Sequence, residues 1–195
     1  MKRIDLGVVF LFILLVGGVF WAGRMFVGNL SYKEGVVFRA GSVEKFEYLS
    51  SQNSNECGLV AANLEAFEDG KRLQGSCCGA MSLHPYQEQV EGLKKYSNYS
   101  VVPEDPYDID ASLAKTLFGY QEEIQLTEDQ QRIYDEAMEI SHEGGPCCCR
   151  CWRWTAFEGQ AKYLITKEGF NSQEIAELWD LEDGCGGGGH VTHEG

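Results

Sequence analysis

Apolar positions follow two different rhythms along this chain. From Leu6 to Gly23 the run LGVVFLFILLVGGVFWAG has no charge over eighteen positions. As a helix it would span about 27 Å, just short of a hydrocarbon core of roughly 30 Å. Met25, Phe26 and Val27 extend it past Arg24, and Trp21 suits an interfacial position. Residues 1–27 are therefore expected to form an N-terminal membrane anchor. A secretory signal is the alternative, because Lys2 and Arg3 supply the short cationic start, although no small-x-small cleavage site comes after the run.

Beyond the anchor the pattern loosens. Residues 28–55 read as a stalk or linker: Val36, Val37 and Phe38 sit among turn-forming Gly28, Gly35 and Gly41, and Ser50 to Asn55 is polar. A helical period then sets in over 56–183. Leu59, Val60, Asn63, Leu64 and Phe67 recur at that spacing up to Gly70. Pro85 can open a helix carrying Tyr86, Val90, Leu93 and Tyr96. Asp110 is placed to cap a helix with Leu113, Leu117 and Tyr120. Thr127 with Gln130, and Asn171 with Glu174, have the form of capping boxes. Between them Gly144-Gly145 breaks the chain, and Pro146 is expected to start a helix running to about Glu168 and stopping at Gly169. About six short helices with almost no strand signal define an all-α fold, a small bundle behind the membrane helix. Residues 184–195 read as a flexible Gly/His tail.

Charge changes what such a domain can do. The 195 residues carry 16 Lys+Arg against 30 Asp+Glu, a formal net charge of −14. Nucleic acid is an unsuitable partner, since binding it needs cationic patches that displace counterions from phosphates. Nearly all of the charge lies after the apolar run, so an acidic body is expected outside the cytoplasm, on a single-pass membrane protein. Which protein partner it has, the sequence does not reveal.

The eight cysteines are the main chemical signal. A chain of this length can bury enough apolar surface to fold without cross-links. Cys57 falls near the first soluble helix, Cys77 and Cys78 precede the Pro85 helix, and Cys185 comes after the last one. The remaining four, Cys147, Cys148, Cys149 and Cys151, are expected in the first turns of the Pro146 helix. At 100° per residue Cys147 lies about 40° from Cys151, and Cys148 about 60° from it, so these three share a face. Cys149 points nearly opposite. A helix start favours thiolates, and Arg150 and Arg153 add positive charge.

Clustered thiolates select thiophilic ions of the Cu, Zn, Hg or Fe–S class, copper or zinc foremost. Cys147, Cys148 and Cys151 form the expected nucleus, with Cys77 and Cys78 as partners. Cys149, Cys57 and Cys185 are further candidates. His84, six residues after Cys78, could ligate the same ion, and so could His190 and His193, which extend Cys185 into a C-x4-H-x2-H array. Met81 could add a thioether to copper. Two alternatives use the same residues. One is a disulfide-stapled structural or interaction domain, which an exported chain with an even cysteine count permits. The other is a thiol-dependent redox enzyme built on Cys148-x-x-Cys151, although no thioredoxin-like strand–helix alternation is present. Gly184 to Gly189 formally matches G-x-G-x-x-G but has neither the preceding strand nor the succeeding helix of a dinucleotide site. Asp180, Glu182 and Asp183 read as a solvated acidic turn.

Overall fold

A computed structural model of the chain describes residues 30–33, 36–56, 58–64, 67–68 and 70–186. The expected anchor over 1–27, together with Cys57, His190 and His193, lies outside the described residues. Among the described residues no helix is long and apolar enough to cross a membrane. The chain divides into two compact units between Arg39 and Ala40. In the first, strand β1 (Leu30–Lys33) pairs antiparallel with β2 (Val36–Arg39), with Leu30 opposite Arg39 and Lys33 opposite Val36.

The second unit is mostly helical. Its helices are α1 (Val43–Ser50), α2 (Ala61–Leu64), α3 (Leu83–Leu93), α4 (Ala111–Glu123), α5 (Glu128–Ile140), α6 (Trp152–Tyr163) and α7 (Ser172–Leu181). A short 3-10 turn, Lys94–Tyr96, extends α3. A wide π turn, Leu164–Glu168, extends α6 until Gly169, at φ 74°, reverses the chain. Two three-residue strands, β3 (Arg72–Gln74) and β4 (Asp108–Asp110), pair antiparallel with Leu73 opposite Ile109.

Side-chain capping fixes where most helices begin. Asp110 accepts from the Ser112 N–H at 2.8 Å and starts α4. The expected boxes are both formed: Thr127 with Gln130 at α5, and Asn171 with Glu174 at α7. Each satisfies backbone donors that a helix start leaves unpaired. Helix α1 lies within the stretch expected to be a stalk. Ser42 caps it by accepting from the Lys45 N–H at 3.1 Å, and Leu49 anchors it in the core.

The main core is built where α6 crosses α4 and α7 packs on α5. Trp152, Phe157, Leu164, Leu117, Ile175 and Trp179 are all buried there. Fully burying side chains of this size contributes roughly 1.5–3 kcal/mol each. The α4–α6 crossing depends on Gly159, where a Cβ would lie 1.9 Å from the Leu117 carbonyl oxygen. Leu49, Tyr86, Val90 and Tyr107 form a second, smaller core beside β3 and β4. Cys147, Cys151 and Trp154 form a third.

One expectation at this third core is overturned. Pro146 does not start a helix. Cys147 is irregular, Cys148 to Arg150 form bends, Cys151 occupies the N-cap position, and α6 begins only at Trp152. The approach is set by Gly144 (φ 67°) and Gly145 (φ 146°). Gly145 lies flat on Trp154, with a Cβ there only 2.6 Å from the ring. Cysteine is a weak helix former, so four of them after a glycine pair give little resistance to unwinding. The first N–H of the helix instead donates across the fold, from Trp152 to the Leu59 carbonyl at 2.9 Å.

Candidate metal centre

Unwinding the segment that leads into α6 lets its thiols spread in several directions. Helical geometry would have put three of them on one face and Cys149 behind. In the structure Cys149 joins Cys147 and Cys148, with sulfurs all within 4.8 Å of one another. Two further groups meet the same limit: Cys77 with Cys147 and Cys185, and Cys78 with Cys148 and Cys185. No disulfide joins any of the seven described cysteines. This arrangement could hold a metal ion.

Individual contacts give the shape of the cluster. Cys77 Sγ lies 3.6 Å from Cys78 and 3.8 Å from Cys185. Cys78 Sγ is 3.7 Å from Cys148 and 3.8 Å from Cys185. Cys147 and Cys151 are 3.9 Å apart, and Cys148 approaches Cys185 to 2.8 Å. A disulfide needs a sulfur separation near 2.05 Å. The Cys148-x-x-Cys151 pair ends on different partners, Cys148 against Cys78 and Cys185, Cys151 against Cys147.

Backbone hydrogen bonds bring the distant segments together. Cys77 N–H donates to the Gly184 carbonyl at 2.9 Å, and Gly79 N–H to the Cys185 carbonyl at 3.1 Å. Ser76 Oγ donates to the same Gly184 carbonyl at 3.1 Å. Cys185 N–H donates to Asp183 Oδ1 at 3.1 Å. Cys185, placed by sequence in a flexible tail, is thus tied to the loop after β3. The tail beyond Gly186 lies outside the described residues.

The electrostatics are organised by Arg153 on α6, which is fully buried. Its Nη1 donates to the Pro106 carbonyl at 2.9 Å and its Nη2 to the Glu182 carbonyl. The guanidinium carbon lies 5.0 Å from the Phe157 ring and 5.4 Å from Trp152. The negative groups acting on it are, in order, Cys77, Cys147, Asp183 and Cys151. Gly184 gives this guanidinium its room, since a Cβ there would lie 2.5 Å from Cζ.

The thiols respond unequally. Hydrogen bonds with Cys147 and Cys185, helped by the Arg153 charge, hold Cys77 well below the usual thiol range. Hydrogen bonds with Cys151 and Cys185 lower Cys147 as well. The partners that supply those hydrogen bonds stay protonated, so Cys151 and Cys185 are pushed up. Burial raises Cys148. Without metal, the cluster therefore concentrates its negative charge on Cys77 and Cys147, nearest the buried cation.

The acidic turn is not solvated, which corrects the sequence reading. Glu182 is fully buried, and Asp183 nearly so. Glu182 Oε1 accepts from Gln160 Nε2 at 2.6 Å, and its Oε2 meets no hydrogen-bond partner. Burial pushes this carboxyl up to about 8. The turn takes that form because its carbonyls serve Arg153 and Gln89, the latter donating to the Asp183 carbonyl at 2.8 Å.

Other sequence candidates go elsewhere. His84 is exposed and faces Glu88 at 3.3 Å. Met81 packs on the Leu49 and Tyr86 core and not on the sulfurs. Arg150 stacks 3.8 Å over the Trp154 ring. Trp152 belongs to the main core and donates from Nε1 to Asn55 Oδ1 at 2.9 Å, while Trp154 covers Cys147 and Cys151. The buried role of Arg153 and the carbonyl-presenting turn at Glu182 were not visible as a unit in the sequence.

Against family models, curated proteins and solved structures, the chain finds no match.

Proposed function

We propose that this protein binds a thiophilic metal ion through its clustered thiolates, as a membrane-anchored protein with its helical domain outside the cytoplasm. The observation that supports metal binding is the convergence of Cys77, Cys147 and Cys185 within 4.8 Å beside the buried Arg153. Sulfur ligands select soft or borderline ions, so copper and zinc are the leading candidates. The thiolate spacing favours ligands of shared ions over a 4Fe–4S cluster, in which each thiolate terminates on its own iron and the sulfurs stand farther apart. Anchoring rests on the uncharged run from Leu6 to Gly23, and the external placement on the acidic charge of the residues beyond it.

The test is metal analysis of the full-length reduced chain, purified without oxygen in mild detergent. Cu or Zn should be retained, and lost in a Cys77→Ser, Cys147→Ser, Cys185→Ser triple variant. No Cu, Zn, Hg or Fe above that control would overturn the assignment. The anchor is checked separately by alkaline extraction of membranes, where recovery of the protein in the supernatant would refute it.

A further inference from the structure

We propose that the described cysteines form one dinuclear site, in which Cys185 bridges two four-coordinate thiophilic dications of the zinc and cadmium class. The inference rests on the metal-binding reading above and adds the number of ions, their ligands and the bridge.

Cys147, Cys148 and Cys185 each belong to two of the three groups, and Cys185 reaches both sulfurs of the Cys77-Cys78 pair as well as Cys147 and Cys148. With Cys77 and Cys147 it forms an inner triad, and with Cys78 and Cys148 an outer one. Each triad has a fourth donor at hand. Cys151 lies 3.9 Å from Cys147 on the inner side. Cys149 is grouped with the outer Cys148, and also with the inner Cys147. Two tetrahedra that share one corner require seven donors, and seven cysteines outside any disulfide are present among the described residues. One ion would use only four and leave three thiols crowded against it.

Distances agree with this partition. A zinc–sulfur bond of about 2.3 Å sets the sulfurs of a tetrahedron about 3.8 Å apart. The Cys77–Cys185, Cys78–Cys185 and Cys78–Cys148 separations are 3.8, 3.8 and 3.7 Å. Cys147–Cys151 is 3.9 Å. The Cys148–Cys185 edge, at 2.8 Å, must open, and Cys77 and Cys78, placed on different ions, touch at 3.6 Å. The two positions differ in access: Cys147 and Cys151 are buried, whereas Cys78 and Cys148 are exposed.

The probe is cadmium-113 added to the full-length reduced protein, read by native mass spectrometry and cadmium NMR. Two cadmium ions per chain are expected, giving two resonances in the thiolate-rich range with mutual cadmium–cadmium coupling through the shared sulfur. Cys185→Ser should abolish that coupling and lower the count from two to one. One ion per wild-type chain would overturn the dinuclear site while leaving the metal-binding reading intact. No bound ion would overturn both. Two ions without mutual coupling in the wild type would overturn the bridge, and that measurement needs no variant to fold.

Discussion

Replacing Glu182 by glutamine tests how the buried turn beside the cluster is built. Gln keeps an acceptor for Gln160 Nε2 and stays neutral at every pH. The native carboxyl has an ordinary value of 4.5, and burial pushes it up to about 8 in the folded state. Between those values the folded chain holds a proton that the unfolded chain has released. Stability must therefore fall as pH rises through this window and level off above it. One pKa unit corresponds to 1.36 kcal/mol, so the wild type should lose about 4 kcal/mol between pH 5 and pH 9 from this group alone. The Gln variant lacks that loss. Its stability relative to wild type should climb by the same amount, about a thousandfold in the folding equilibrium. Thiol titrations occur in both proteins and cancel in the difference. Urea unfolding of the reduced, metal-free chains, followed by tryptophan fluorescence, reads the effect directly. With a urea slope of about 2 kcal/mol/M the two midpoints should separate by about 2 M across the range. A difference between the two proteins that stays flat from pH 5 to pH 9 would mean that Glu182 ionises like a surface carboxylate, and the argument would fail.

Two other perturbations address the charge at the centre. Gly184→Ala places a Cβ 2.5 Å from the Arg153 Cζ and 2.7 Å from its Nε. The guanidinium is held by two carbonyls and cannot swing away, so overpacking should cost about 1–3 kcal/mol in urea unfolding; an unchanged midpoint would refute the tight seat. Thiolate absorbance of the reduced, metal-free chain should already be present at pH 6, where a free thiol of pKa about 8.5 is almost wholly protonated. It should fall in Cys77→Ser and in Arg153→Met. Because Cys77 and Cys147 are lowered in the folded state, their contribution to stability is complete above the unfolded thiol range and is lost as pH falls through the folded values. Absence of thiolate absorbance at pH 6 would contradict the assignment.

The sequence is most informative where a short local signal decides the structure. Asp110, Thr127 with Gln130, Asn171 with Glu174, and Gly169 each mark a helix boundary through one or two hydrogen bonds or one backbone angle, and those boundaries appear where expected. Strands β3 and β4 are not legible, because three residues are too few to show alternation. They are held instead by Asp108, which accepts from Lys45, from Arg72 Nε at 2.5 Å and from Gln74 Nε2 at 3.0 Å. Such a hub joins residues far apart in sequence. The cysteine site is half visible. Contiguous thiols signal convergence, but periodicity assigns Cys147 to Cys151 to a helix face. The actual arrangement is set by tertiary partners, the Gly145–Trp154 contact and the Trp152–Leu59 hydrogen bond, which override a weak local preference. Arg153 reads in sequence as one of two cations near a helix start, and only the packing of α6 shows that it is buried.

The clamp between the loop after β3 and the Cys185 segment also has a consequence in time. Cys77 and Cys185 are separated by 108 positions and Cys148 and Cys185 by 37. A growing chain therefore displays every other thiol long before the Cys185 sulfur has been made. At about 5–20 residues per second the wait after Cys148 is roughly 2–7 s. During that interval the early thiols are exposed to wrong pairing and to oxidants, without the Cys185 sulfur that packs against Cys77, Cys78 and Cys148. Assembly of the groups that contain Cys185 is thus a late event, and the nascent protein is most vulnerable just before it.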